Sequence, residues 1–192
     1  MDFVELQTES LNLTDEQFLK LCLSNKELRF ERDKDKNIII MAPTITHGGH
    51  FNADLIGEVI IWNKQNRLGY CFDSSTGYTL PNGAVRSPDV SWILKERYDK
   101  VIDEARESFA HICPDFVIEL LSISDSLKKT MEKMEEWMEN GCRLGWLVDP
   151  IGRNTHIYYP NQKPAIHPFT ETLSGEKVLP GFEIDLENII PK

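Results

Sequence analysis

No CxxC pair occurs in this chain of 192 residues, and its four cysteines, Cys22, Cys71, Cys113 and Cys142, are scattered. That spacing excludes a zinc-ribbon framework and reads as buried, reduced thiols of a cytoplasmic protein. No apolar run approaches the about 20 residues that span a bilayer. The N-terminus has no basic stretch leading into an apolar one. Neither a membrane span nor a secretory leader is therefore expected. Positive charge is scarce: 21 Lys and Arg against 31 Asp and Glu leave a net charge of −10. Such a balance argues against broad, sequence-independent affinity for nucleic acid, unless metal ions and a local basic patch supply the attraction. Internal repeats, linkers and low-complexity tracts are also missing. What is present is 41% hydrophobic residues. That is ordinary for a soluble globular protein and enough for one core in a single domain over residues 1–192.

Thr14-Asp15-Glu16-Gln17 has the spacing of a capping box, and Phe18, Leu19, Cys22 and Leu23 follow at helical steps. A short first helix is expected there. Residues 28–32 and 38–41 read as a hairpin around the polar turn Asp33–Asn37. Phe51, Leu55, Val59 and Trp62 recur at three- and four-residue steps, predicting an amphipathic helix over 50–63. Residues 69–72, 77–80 and 90–94 read as strands, with Asn82-Gly83 as a turn. Residues 95–112 read as an irregular loop with some helix around 104–109. Residues 116–121 are nearly all apolar, as in a central strand covered on both faces. Ser124 is expected to cap a helix running to Asn140, with Gly141 ending it at C′. Residues 144–148 are a second central strand, and 155–159 a third, less buried one. The tail is broken by Pro160, Pro164, Pro168 and Pro180. The 116–148 unit is a βαβ crossover, so its strands are expected to be parallel and its crossover right-handed. The result is a mixed sheet flanked by helices, an α+β fold with α/β/α-like layering.

Two carboxylates stand out in this plan. Asp89 follows Pro88 at the start of one strand, and Glu119 lies on the apolar run 116–121. A bare carboxylate in such a setting is costly unless it is paired or bound to a cation. Glu119 could instead face a buried arginine or lysine, and Asp89 could be solvated at a turn. Asp115, Val117 and Glu119 share one face of their strand. Hard oxygen ligands suit Mg²⁺ or Mn²⁺. Lys133 sits on the helix that follows, at the edge of a stripe of Leu127, Met131, Met134 and Met138. From there it can turn inward or remain solvated. His50 invites a general-base role because imidazole titrates near neutrality. The plainer reading is that it caps or packs at the start of the second helix. His47, His111, His156 and His167 show no metal-ligand spacing, and the four tryptophans read as core.

Set in order, these pieces resemble a known family. They run through Leu13-Thr14-Asp15-Glu16-Gln17-Phe18, Arg29-Phe30-Glu31, Ile40-Met41-Ala42-Pro43-Thr44 and His50. They continue with Thr76-Gly77-Tyr78-Thr79-Leu80, Arg86-Ser87-Pro88-Asp89-Val90, Pro114-Asp115-Phe116-Val117-Ile118-Glu119 and Ser122-Ile123-Ser124-Asp125. They end with Lys133, Trp137, Gly141, the run from Gly145 to Pro150, and Leu179-Pro180-Gly181-Phe182. The chain resembles the restriction-endonuclease-like family abundant in cyanobacteria (the Uma-two-like proteins), a branch of the PD-(D/E)xK nuclease superfamily. The resemblance implies a restriction-endonuclease-like core with a divalent-metal site. Asp89 matches the aspartate of the motif and Glu119 its (D/E). Leu121 stands where the lysine usually does, and Lys133 matches the position to which this family has moved it. Glu31 matches an acid that can add a ligand. Asp115 matches a further family acid, implied to bind metal or support Glu119.

The function expected from this set is a Mg²⁺-dependent (or Mn²⁺-dependent) DNA endonuclease. Asp89 and Glu119 would hold the ion, and Lys133 would orient or deprotonate water or stabilise the transition state. Glu31, Asp115 and His50 are supporting candidates. The alternative is a catalytically inactive DNA-binding or protein-interaction module retaining the fold, which the acidic charge favours. A structural dimer with merely paired acids is a third reading. A homodimer is expected because cutting both strands takes two sites. Residues 95–112 and the proline-rich tail, lying outside the expected core, are its candidate contacts.

Overall fold

The computed structural model describes residues 3–190 apart from residues 44 and 124. A five-stranded sheet in the order β1-β3-β2-β6-β5 comprises β1 (Phe3–Leu6), β2 (Arg29–Arg32), β3 (Ile38–Met41), β5 (Tyr78–Thr79) and β6 (Val85–Arg86). A six-stranded sheet in the order β11-β10-β9-β8-β7-β4 comprises β4 (Gly69–Asp73), β7 (Val90–Leu94), β8 (Phe116–Leu120), β9 (Leu144–Asp149), β10 (Asn154–Tyr158) and β11 (Ala165–Pro168). A small ribbon pairs β12 (Leu173–Ser174) with β13 (Glu183–Ile184). The helices are α1 (Asp15–Ser24), α2 (Thr46–Asn66), α3 (Lys95–Tyr98), α4 (Leu127–Glu139) and α5 (Leu186–Ile189). Among the described residues no helix is long and apolar enough to cross a membrane.

The larger sheet is the middle of three layers. In β8 the alternation of a strand sends Phe116 and Ile118 to one side and Val117 to the other. The first side meets Phe51, Leu55, Val59 and Trp62 of α2. The second meets Met134 and Trp137 of α4. As expected, β8 and β9 are parallel and joined through α4, while every other neighbouring pair in this sheet is antiparallel. The capping box of α1 forms as read, with Thr14 Oγ1 accepting from Gln17 N and Gln17 Oε1 accepting from Thr14 N. The 29–41 hairpin also forms, and α1 packs Phe18 against Ile38 and Val85 on one face of the smaller sheet. Gly141 takes a φ of 106°, a left-handed conformation that suits glycine at C′ and turns the chain from α4 into β9.

Several expectations need correction. The cap foreseen at Ser124 lies outside the described residues; Ser126, whose side chain accepts from Lys129 N, is the residue at the start of α4. Trp137 is fully buried at the centre of the α4 stripe, whereas Leu127 is exposed. The strand β10 is buried rather than peripheral, because β11 covers its edge and α4 reaches across one of its faces. The tail is not confined to the surface. Phe169, Leu173, Leu179, Phe182, Ile184 and Leu186 belong to the core beside α2. Residues 95–112 also bury Ala110 and Ile112, with Tyr98, Val101 and Ala105 packed against the same cluster. Both stretches proposed as dimer contacts therefore serve the interior. All four cysteines are free, with Cys113 and Cys142 buried but Cys22 and Cys71 only half-buried.

Candidate active site

The site forms where the two sheets and α4 converge. The antiparallel register Val90↔Ile118 sets Asp89, just before β7, opposite Glu119, near the end of β8. Asp89 Oδ2 accepts from Leu120 N at 2.8 Å. Glu119 Oε1 accepts from the buried Trp137 Nε1 at 2.9 Å and from Lys133 Nζ at 2.9 Å. Trp137 and Lys133 are four residues apart on α4, so one face of that helix supplies both donors.

Glu31 reaches the same point from the other sheet. In β2, Phe30 and Arg32 turn toward α1, where Arg32 stacks on Phe18; Glu31 faces the opposite way. Its Oε1 accepts from Lys133 Nζ at 2.9 Å and from Ser87 N at 3.0 Å, and its Oε2 accepts from Arg86 Nη1 at 3.0 Å. Arg86 Nε donates to Glu136 Oε2 at 2.6 Å. Glu136 Oε1 accepts from Asn82 Nδ2 at 2.9 Å. Lys133 completes its contacts by donating to Ser87 O at 3.0 Å. An ammonium has three donors, and all three are in use.

The charges do not balance. Burial pushes the Glu119 carboxyl up to about 7; Lys133 offsets part of this, while Asp89 and Glu31 add to it. Asp89 is also raised, first by burial, with Leu120 N–H and Lys133 pulling it down and Asp125 pushing it further up. Burial opposes charge at Glu31 too, but Lys133 and Arg86 outweigh it and hold that carboxyl below its ordinary range. Lys133 is likewise disfavoured by burial, yet Glu119 and Glu31 together hold it more firmly protonated than a free lysine. Glu31 thus has two cations, whereas Glu119 shares one and faces further acids.

That deficit, and the donor set, fit a hard divalent ion. Asp89 Oδ1 and Glu119 Oε2 accept no hydrogen bond from any described residue. No group of three or more His, Cys, Asp or Glu among the described residues is arranged to hold a metal. An ion here would rest on two carboxylates and water, which is how Mg²⁺ is usually held. The pair lines a cavity of about 1180 Å³ that also exposes Glu31, Arg86 and Lys133. The N-terminus of α2, from Ile45 to Gly49, opens onto it with no side-chain cap.

Two supporting candidates lie elsewhere. Asp115 is on the same face of β8 as Glu119 but at the other end, about 13 Å along a strand. There it accepts from Leu94 N at 2.9 Å and pairs with Arg97 at 2.8 Å and Arg143 at 3.5 Å. It neither binds with nor supports Glu119. His50 is exposed, lies 3.6 Å from Asp54 and does not line the cavity, whereas His47 does. The sequence reading passed over Arg86 and Glu136 as site residues and took Trp137 only as core. A signal for each was there: Arg86 stands three residues before Asp89, and Glu136 stands one turn beyond Lys133.

A family model described as Uma2, putative restriction endonuclease, matches residues 15–187. The chain belongs to this family. The match spans Glu31, Asp89, Glu119 and Lys133. No curated protein matches the chain. Among solved structures, the chain is similar to a putative nuclease belonging to DUF820 from Anabaena variabilis ATCC 29413. The TM-score is 0.76 at 20% identity, covering 93% of this chain and 97% of that one. The two share the restriction-endonuclease-like fold, so the Uma2 chain has the architecture its sequence implies.

Proposed function

We propose that this member of a nuclease family is a cytoplasmic, Mg²⁺- or Mn²⁺-dependent endonuclease that hydrolyses phosphodiester bonds in DNA. The observation that carries this reading is the convergence of Asp89, Glu119 and Lys133 at one cavity, with Glu119 short of compensating charge. Asp89 Oδ1 and Glu119 Oε2 are the oxygens left to hold the ion. When bound, a divalent ion would neutralise phosphoryl oxygens and make a nearby water more acidic. Water oxygen then bonds to phosphorus as the P–O bond to the departing strand breaks, and the leaving oxygen takes up a proton. Lys133, protonated and fully hydrogen-bonded, is unsuited to act as the base. Its part is to hold Glu119 and Glu31 in register and to set a positive charge beside the reacting phosphate. Glu31 and Arg86 keep that lysine in place. Cutting both strands of a duplex would take two copies, and a homodimer is the assembly this reading proposes for that task; light scattering tests it.

Plasmid nicking with Mg²⁺ or Mn²⁺ is the direct test. Relaxation of supercoiled plasmid that needs the ion and disappears in Glu119→Gln supports the reading; no relaxation by well-folded protein overturns it. One observation favours the second reading, an inactive module on the same fold: along the cavity wall acids outnumber lysines and arginines two to one.

A further inference from the structure

The wall that argues against nucleic acid in general argues most strongly against a duplex. Arg86 and Lys133 are already occupied by Glu31, Glu119 and Glu136. The other cations on the wall are Lys26, Arg29, Lys34 and Lys129, of which Lys129 pairs with Glu5 at 3.6 Å, and nine further acids line the same wall. Double-stranded DNA carries one negative charge per about 1.7 Å of axis, a single strand half that density. The space is confined, a sphere of the cavity's volume being about 13 Å across. Glu119 lies deep within that space, only 5% exposed, and Asp89 is half-buried beside it. A phosphate must enter to reach them.

The mouth of the cavity has a second character. Leu28, Ile45, Ile123 and Ile151 line it, each between 43% and 78% exposed. They come from four separate segments: the approach to β2, the start of α2, the β8–α4 connection and the β9–β10 turn. Large exposed side chains gathered from four segments around one cleft mark a contact surface rather than chance exposure. Paired bases show such a rim only charge and sugar. Unpaired bases show it their apolar faces.

We propose that the cavity admits an unpaired DNA strand and rejects the duplex, its bases lying on Leu28, Ile45, Ile123 and Ile151 while one phosphate reaches Asp89 and Glu119. This rests on the nuclease reading above and names its substrate form. One site suffices for such a strand, whatever the assembly.

The test offers oligonucleotides of one sequence as single strand, blunt duplex and fork. Binding is read by fluorescence anisotropy with Ca²⁺, and cleavage on gels with Mn²⁺. The single strand is expected to bind and be cut roughly tenfold better than the duplex, with cuts in the fork confined to its arms. The double variant I123S/I151S, checked for an unchanged melting temperature, is expected to weaken single-strand binding by a similar factor and leave duplex binding unmoved. Equal handling of both forms, or rim variants without effect, overturns the inference while leaving the nuclease reading intact. Selective binding of the single strand without cleavage supports the inference and overturns hydrolysis. Absence of both binding and cleavage overturns both.

Discussion

Lys133 Nζ lies 2.9 Å from Glu31 Oε1 and so joins α4 to the smaller sheet as well as to Glu119 on the larger one. Replacing it by methionine would leave two buried carboxylates with one cation fewer. Lys133→Met is expected to lower stability by about 3–5 kcal/mol, the usual result of removing one partner of a buried ion pair. Denaturant melts measure the loss. Adding Glu31→Gln should recover part of it, because the two residues are coupled. Additive losses would show that the lysine stabilises the fold through its stem alone.

Glu119→Gln should behave differently. The amide oxygen can still accept from Trp137, while the uncompensated charge is gone. Metal-dependent nicking is expected to vanish, and the metal-free protein to be at least as stable as the parent. Gross unfolding of this variant would reveal a structural role for the carboxylate instead.

The pH dependence follows from the same residue. Its carboxyl titrates near 7 in the folded protein, above the ordinary glutamate value of 4.5. The folded state therefore binds more protons than the unfolded one between those values, and metal-free stability must fall as pH rises across that window. Subtracting the Glu119→Gln curve isolates the effect, expected to amount to a few kcal/mol. The gain in melting temperature on adding Mn²⁺ should grow over the same range and be absent from the variant.

Asp115 provides the contrast. Its carboxylate is fully buried and satisfies Leu94 N–H as well as Arg97. Asp115→Ala is expected to destabilise the fold by about 1–3 kcal/mol through the donor it strands. Nicking per folded molecule should be unchanged. His50→Ala should alter stability by no more than about 0.5 kcal/mol, as is usual for an exposed side chain.

The central strands and the two long helices were legible because local periodicity encodes them, and the parallel crossover because the strand–helix–strand connection dictates it, whereas β1 and β6 were not foreseen. Asp89 and Glu119 were legible because carboxylates interrupt apolar runs there, whereas Lys133, which its position alone left either inward or solvated, was singled out by the family resemblance. Glu31 entered only through family resemblance: it is on another sheet, and nothing local says that β2 turns that side chain toward α4. Asp115 was misjudged for a related reason. Alternation gives the face of a strand but not which end of it meets a partner. The tail was misread because prolines mark breaks in regular structure, and breaks were taken for exposure. Its apolar residues complete the α2 side of the larger sheet, which no local pattern announces.

Trp62 donates to Pro180 O at 3.0 Å, a bond between residues 118 positions apart. Its ring also packs on Phe182. During synthesis the apolar stripe of α2 therefore emerges long before the segment that seals it. Contacts of such separation slow folding, and surface waiting for its cover invites aggregation. Removing residues from Phe169 onward should thus yield a chain that is made but captured by chaperones, rather than a trimmed enzyme.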